Sequence, residues 1–521
     1  MIGPAAFATL SNHRTVKPMH QWPNVNRGWL LSLTMTLWAG GLALGQPAAG
    51  DQAARAPARD ARPNILYIMA DDHATHAIGA YGSVINTTPN IDRLAREGMR
   101  FTNCFCENSL CTPSRAAILT GTFGCRNGVL VLSDRLDPSK ATFPRLLSAA
   151  GYQTAIVGKW HLKRQPGEFD HWDVLPDQGV YHDPVFLTPG KRSKIPGYVT
   201  DIITDKCIDW LEQRDPTRPF LLMCHHKAPH RPWQPDEKHA RMYENVDIPE
   251  PATFDDDHAT RCDAARRQKM AIEDLTRTDV KADPPEGLTP AQLRHWKYER
   301  FIKDYLRCVA SMDDNIGRLL EYLDTHDLAK DTIVIYTSDQ GFYLGDHGWF
   351  DKRWMYEESL RMPLIVRYPA HIKAGSTCDR FVQNVDFAQT MLDFGGATAP
   401  GEMQGASFRP LLEGREGPWD RPAVFYHYYE EGTEHHVAAH YGVRTDRYKL
   451  IRFYSEVRAW ELYDLREDPR ELRNVYDDPA YAPIVADLKA RLERLKARYG
   501  DTTESPRQAP ADAPAVPAGT K

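Results

Sequence analysis

Four short clusters of reactive side chains each follow an apolar run, and together they could hold a metal ion and an anion. They are Asp71-Asp72, Gly158-Lys159-Trp160-His161, His225-His226-Lys227-Ala228-Pro229-His230 and Asp339-Gln340. Taken singly, an acidic pair after a strand reads as a turn or cap, and a lone histidine as a satisfied hydrogen-bonding group. Asp71, Asp72 and Asp339 with the amide oxygen of Gln340 form an oxygen-only set. Such a set suits Ca²⁺ or Mg²⁺ better than zinc, which prefers His or Cys. Lys159, Lys352, Arg115 and the histidines add positive charge, and a cationic cup of this kind accepts a tetrahedral anion, sulfate or phosphate.

The candidate nucleophile is Cys111, in CTPSRAAILTG (111–121). Pro113 stands where a helix would start and Gly121 where it would end, which places Cys111 at a helix N-terminus, where free N–H groups and the dipole favour an anion. The competing reading is a disulfide or a buried structural thiol, with Cys104, Cys106 and Cys125 close by in sequence. The nine cysteines form no C-x-x-C pair, and an odd number leaves at least one unpaired.

Buried strands must position these clusters. Continuous apolar runs at 64–70 (NILYIMA), 152–157, 220–224 and 332–338 (TIVIYTS) read as strands covered on both faces, with 363–366 as a fifth. Helices are predicted after Thr88-Pro89, closing at Gly98, and over 296–324, where Ile302, Tyr305, Val309, Met312, Ile316, Leu319 and Leu323 share one face. The alternation implies an α/β fold with a large, mostly parallel sheet flanked by helices. Ligands bind such sheets outside the carboxyl ends of the strands, so the four clusters should converge. Residues 234–294 are polar, acidic and weakly periodic, an expected insertion over the sheet edge within a catalytic domain spanning 63–415. From 416 to 500, short alternating runs and a last helix near 480–498 predict a small α+β subdomain with an antiparallel sheet, and the Pro/Ala/Thr-rich 501–521 a disordered tail.

The chain has 521 residues, 64 Lys+Arg against 70 Asp+Glu, and a net charge of -6. That balance, without long basic runs, offers no electrostatic footprint for nucleic acid. Residues 29–45 (WLLSLTMTLWAGGLALG), behind Arg27, read as the apolar core and cleavage region of a signal peptide over 1–45, with a linker at 46–62. An uncleaved anchor is the competing reading; cleavage implies an exported protein, periplasmic or secreted, with no stable membrane anchor.

At these residues the chain resembles the type I, formylglycine-dependent sulfatases of the alkaline-phosphatase superfamily. The matching segments are NILYIMADDH (64–73), TPNIDRLAREG, CTPSRAAILTG, GKWHL (158–162), HHKAPHRPW (225–233), the run 336–369 and ELYDLREDPRELRNV (461–475). The resemblance implies that a formylglycine-generating maturation enzyme, reading Pro113 and Arg115, oxidises Cys111 to Cα-formylglycine. The aldehyde hydrate then attacks sulfur, with Ca²⁺ bound by Asp71, Asp72, Asp339 and Gln340. It further implies that Arg115 and His161 position the hydrate, that Lys159 and Lys352 neutralise the sulfate, and that His230, with Lys352, protonates the leaving alcohol. Many members carry Asn or His where this chain has Gln340. Segments 225–231 and 338–359 look most like N-acetylglucosamine-6-sulfatase-type enzymes, so a sulfated carbohydrate is the expected substrate. His226, which competes with His230 for the acid role, is assigned with His440 and Arg444 to substrate contact. The alternatives are a phosphonate or phosphodiester hydrolase of the same superfamily and a non-catalytic, exported glycan-binding homologue.

Overall fold

The computed structural model describes residues 62–415, 417, 419–433, 435–503 and 505–508. The expected signal peptide and all but the last residue of the linker lie outside the described residues. Among those described, no helix is long and apolar enough to cross a membrane.

The elements that matter for the site are, in chain order, β1 (Asn64–Ala70), α1 (Pro89–Glu97), β2 (Met99–Phe101), α2 (Cys111–Thr120), β3 (Gln153–Lys159), β4 (His171–Leu175), β5 (Val185–Thr188), β6 (Lys191–Lys194), α3 (Val199–Gln213), β7 (Phe220–His225), α4 (Pro290–Thr325), β8 (Thr332–Ser338), β9 (Leu364–Arg367), β10 (Ser376–Cys378) and α5 (Phe387–Phe394). The ten strands form one sheet in the order β10-β2-β9-β8-β1-β7-β3-β4-β5-β6. Strands β8, β1, β7, β3 and β4 run parallel at its centre. The predicted fifth strand, β9, pairs antiparallel to β8. Antiparallel neighbours need no crossover helix, and the connection from 339 to 363 carries site residues instead.

The continuous apolar run of β1 is explained by burial on both faces. Ile65, Tyr67 and Met69 join one core with Phe387 and Met391 of α5, while Leu66, Ile68 and Ala70 join the other with Ile203 of α3 and Ile302 of α4. Helix α4 starts at Pro290, earlier than the apolar stripe predicts. A capping box explains this: Gln292 N donates to Thr289 Oγ1 (3.3 Å) and Thr289 N to Gln292 Oε1 (2.9 Å), with Pro290 in the first turn.

Two expectations are corrected. Residues 234–294 do not cover a sheet edge; they pack on α4 and on the chain after β8. Ile248 N donates to Glu299 Oε1 (2.8 Å), Tyr298 Oη to Pro249 O (2.9 Å) and Phe350 N to Met270 O (2.8 Å). Isolated apolar residues such as Phe254, Ile272 and Leu275 anchor this stretch in the core without any period. The tail is ordered through its first residues: Asp501 is buried and pairs with His427 (2.5 Å), and Arg507–Gln508 pair with Glu430–Glu431.

The C-terminal subdomain is as predicted, an antiparallel sheet of β11 (Ala423–Tyr428), β12 (His440–Thr445), β13 (Tyr448–Tyr454) and β14 (Arg458–Asp464) packed on α6 (Ala482–Tyr499).

Candidate active site

The central strands deliver their clusters to one cup. β1 runs into Asp71 and Asp72, and β8 beside it into Asp339 and Gln340. Asp72 takes the left-handed backbone conformation (φ 68°), and its N–H donates to Asp339 Oδ1 (3.2 Å), clasping the two strand ends. One oxygen from each of Asp71, Asp72 and Asp339 lies within 4.8 Å of the others, and all three residues are buried. Lys159 is ion-paired with Asp71, Lys352 Nζ is 2.6 Å from Asp72 Oδ2, and Arg115 NH2 is 3.0 Å from Asp339 Oδ2 and 3.4 Å from Asp71 Oδ1. Burial favours the neutral acid at all three. At Asp71 the charges of Lys159, Arg115 and Lys352 outweigh burial and hold the carboxyl well below its usual range. At Asp339, burial and the neighbouring Asp71 push it up to about 7.

This donor set fits a hard cation. Gln340 Nε2 donates to Asp72 Oδ1 (2.5 Å), which leaves its Oε1 buried with no hydrogen-bond partner. An unsatisfied buried acceptor costs about 1–3 kcal/mol, and three carboxylates beside it complete an all-oxygen set of the kind Ca²⁺ or Mg²⁺ takes.

Cys111 is the first residue of α2, two residues ahead of the predicted start, and all ten residues of that helix are buried. Gly121 ends it in the left-handed conformation (φ 62°), its N–H donating to Ala117 O (2.8 Å). Cys111 Sγ donates to Asp71 Oδ1 (3.5 Å) and faces Gln340 Nε2 (3.6 Å) and Lys159 Nζ (3.8 Å). Burial pushes the thiol up to about 12 in spite of Lys159 and Lys352. Unmodified, it is therefore a protonated thiol and a poor nucleophile at neutral pH. All nine cysteines are free, so the disulfide reading fails. One turn along α2, Arg115 Nε donates to Asp339 Oδ2 (3.0 Å) and NH1 to Lys159 O (2.8 Å).

The remaining predicted groups close the cup. His161, also left-handed (φ 58°), is held through its carbonyl, which accepts from Thr112 Oγ1 (3.0 Å); burial and then Lys159 hold its ring well below the usual histidine range. His230 Nδ1 is 2.8 Å from Arg231 O, while Nε2 lies 3.7 Å from Asp72 Oδ2. The Nδ1 contact is to an acceptor, so Nδ1 carries the proton and Nε2 is the free lone pair. Burial and Lys159 lower His230 strongly, and the resting ring is neutral.

Three assigned contacts lie elsewhere. His226 turns away from the cup: its Nε2 is 3.5 Å from Cys224 Sγ. Side chains alternate along an extended chain, so it is the neighbouring His225 that reaches Lys159 O (3.1 Å) and Arg115 NH1 (3.5 Å). His440 is enclosed by the rings of Trp354, Tyr426, Tyr428 and Phe453, and burial lowers it to about 3. Arg444 is paired with Glu357 (3.2 Å) over the rings of Phe105 and Phe381. Both belong to the seam between the C-terminal sheet and the main body.

Sequence reasoning passed over Lys227 and the rim beyond Lys352. Lys227 is buried with Nζ 3.3 Å from Arg231 O and 5.1 Å from the centre of the Tyr181 ring; burial and Lys159 push it down to about 7. Its signal was its place in the third cluster. Asp351 holds Lys352 N–H (2.8 Å), pairs with Arg353, and lies 3.3 Å from His435 Nε2, which comes from the C-terminal part of the chain. No motif links position 435 to 351.

The family described as "Sulfatase" matches residues 63–397, and "N-sulphoglucosamine sulphohydrolase, C-terminal" matches 345–498. An N-acetylglucosamine-6-O-sulfatase of Bacteroides thetaiotaomicron is 46% identical over 487 residues, 84% of this chain and 87% of that protein. A solved structure of a protein with its substrate D-glucosamine-2-N,6-O-disulfate superposes with a TM-score of 0.82 at 46% identity, over 85% of this chain and 99% of the other. A phosphonate monoester hydrolase of Agrobacterium radiobacter shares the fold alone, with a TM-score of 0.70 at 23% identity over 84% of this chain and 96% of its own. Family match, relatives and geometry agree: the chain belongs to the sulfatase family of the alkaline-phosphatase-like superfamily and is a sulfuric ester hydrolase.

Proposed function

We propose that this sulfatase removes 6-O-sulfate from glucosamine-type units of sulfated glycans, after export, using Ca²⁺ and a formylglycine made from Cys111 by a formylglycine-generating enzyme. The observation that carries the reading is the position of Cys111: first in a buried helix, within 3.5–3.8 Å of Asp71, Gln340 and Lys159. The substrate class rests on two comparisons at 46% identity, one with an N-acetylglucosamine-6-O-sulfatase and one with a solved structure holding a glucosamine disulfate. Export rests on the apolar stretch 29–45 behind Arg27.

Asp71, Asp72, Asp339 and Gln340 would hold the cation. When present, the ion supplies positive charge to a sulfate oxygen, and formylglycine supplies a hydroxyl in place of the inert thiol. Lys159 and Lys352 bring two ammonium groups to the same cup and neutralise the remaining sulfate charge. Arg115, fixed on Asp339 and the Lys159 carbonyl, keeps the first turn of α2 in register with the strand ends. His230, with Nδ1 anchored on the Arg231 carbonyl, takes up a proton at Nε2 when the anionic ester offsets the lysine charge, and passes it to the leaving alcohol.

The test joins a mass measurement to a substrate comparison. Protein co-expressed with the maturation enzyme should yield peptide 101–115 (FTNCFCENSLCTPSR) with an aldehyde at position 111, and should release sulfate from glucosamine 6-sulfate. An intact thiol, with a known substrate of the maturase converted in the same cells, would overturn the formylglycine assignment. Faster turnover of an aryl phosphodiester than of a matched aryl sulfate would overturn the preference for sulfate.

A further inference from the structure

A second cationic site lies at the other end of α2. A cavity of about 650 Å³ opens between α6 and residues 404–406 and 419–423, and its wall carries Arg421, Arg491, Arg494 and Arg498 against one acid, Asp420. That volume falls within the usual range for ligand pockets, about 300–1,000 Å³. Gln404, also in the wall, donates from N to Gly121 O (2.8 Å) and from Nε2 to Tyr499 O (2.9 Å), so the cavity backs onto the C-terminal end of α2. Cys111 stands at the opposite end, about 15 Å away along a helix of ten residues.

The arginines are placed as a fold alone would not place them. Positions 491, 494 and 498 follow at i, i+3 and i+7, one face of α6, and like charges at such spacing destabilise a helix. Arg494 and Arg498 are exposed and have no ion pair or hydrogen bond with any described residue; Arg498 lies 5.6 Å from the centre of the Tyr499 ring. Arg491 has one acid, Asp487 at 3.5 Å, and its Nε is buried with no partner. Across the cavity, the side chain of Arg421 is 10% exposed; its terminal nitrogens bond Asp386 and Gln383, while Nε is again buried and unpartnered. Trp419 is fixed by Nε1 donating to Phe381 O (2.9 Å). A smaller cavity of about 340 Å³ shares residues 419–422 but adds Asp379 and Asp446 beside Arg380, so the cationic character belongs to the larger cavity.

Guanidinium groups bind sulfate and carboxylate oxygens in pairs, and an indole offers a flat apolar wall for the C–H face of a pyranose ring. We infer that this cavity is a non-catalytic binding site for a sulfated oligosaccharide segment, remote from the cup. The identity of the ligand rests on the sulfated-glycan reading above. Such a site holds the polymer beside the enzyme and raises the effective concentration of the chain end that reacts.

The test uses the full chain with Cys111→Ala, so that bound ligand is not consumed, and a size-defined heparin oligosaccharide titrated by calorimetry. Arg494→Gln with Arg498→Gln, and separately Trp419→Ala, should each weaken binding at least tenfold. The same changes in the active enzyme should leave turnover of monosaccharide glucosamine 6-sulfate within twofold. Unchanged affinity in both variants would overturn the site. Equal binding of the desulfated oligosaccharide, or of a single-stranded DNA of similar charge, would overturn the assignment to sulfated glycan. Loss of monosaccharide turnover in the variants would show that the arginines act through the cup. Failure of the functional reading looks different: no turnover of the monosaccharide, with oligosaccharide binding still sensitive to Arg494 and Arg498.

Discussion

His230 and His440 are both buried histidines lowered by desolvation, yet their neighbours give them opposite roles. His230 has one nitrogen on a carbonyl and the other facing the carboxylates. Replacing it by alanine should lower kcat on an alkyl sulfate by about 10²–10⁴ and affect an activated aryl sulfate far less; equal losses on both would remove it from the proton-transfer step. His440 is packed against the four rings of Trp354, Tyr426, Tyr428 and Phe453, with Nδ1 on Ala438 O (2.8 Å). His440→Ala should lower stability by about 2–4 kcal/mol in a denaturant melt and leave KM for glycan and aryl sulfate unchanged. A rise in KM on the glycan alone would restore it to substrate contact. The strand-end acids were legible because an apolar run of fixed length says where its polar exit falls. His440 and Arg444 were not, since their motif lies in a strand whose facing side depends on what packs against it. The cation has a readout of its own: at a hundred times its Kd a bound ion adds about 2.7 kcal/mol. Ca²⁺ should therefore raise Tm over the chelated protein, and Asp72→Asn should abolish the rise.

At the scale of elements, the site depends on how closely β3 and β7 approach at their ends. Gly158 has φ +104°, and a Cβ there would meet His225 O at 2.0 Å. Gly158→Ala should destabilise the fold by about 2 kcal/mol or more and displace Lys159, whereas Gly167→Ala, with nothing within 4 Å, should be close to neutral. Thermal melts of the two variants compare these directly. The core strands and α1 were readable because their periods are clean. The early start of α4 was carried by the T-P-x-Q cap, outside the apolar stripe. The 234–294 stretch was misplaced because single apolar anchors at Ile248, Phe254 and Ile272 leave no period to read.

Across the whole molecule, buried charge ties the stretch before α4 and the C-terminal sheet to the site loop. His347 is central: Nδ1 is 2.8 Å from Asp256 Oδ2, Nε2 is 3.7 Å from Glu358 Oε2, and Arg261 NH2 is 3.2 Å from Nδ1. Burial disfavours the charged ring, but Asp256 and Glu358 outweigh it, and His347 is raised from 6.5 to about 9. A raised folded value means that folding takes up a proton, so the stabilisation is complete below about pH 6.5 and is lost as pH climbs towards 9. Tm should fall through that window, and His347→Asn should flatten the fall; an unchanged profile would move the titration to another group. Burial of α2 has a consequence in time. Cys111 is 1% exposed, so an enzyme that is to act on its sulfur must meet the chain before the cup shuts. Ser114, whose hydroxyl donates to the Asp339 carbonyl in the closed cup, precedes it by 225 residues. At about 5–20 residues per second, a ribosome needs on the order of 10–45 s to supply the second after the first. On the formylglycine reading, access to the sulfur therefore closes with folding, and folded protein carrying the thiol should stay unconverted when held with the maturase.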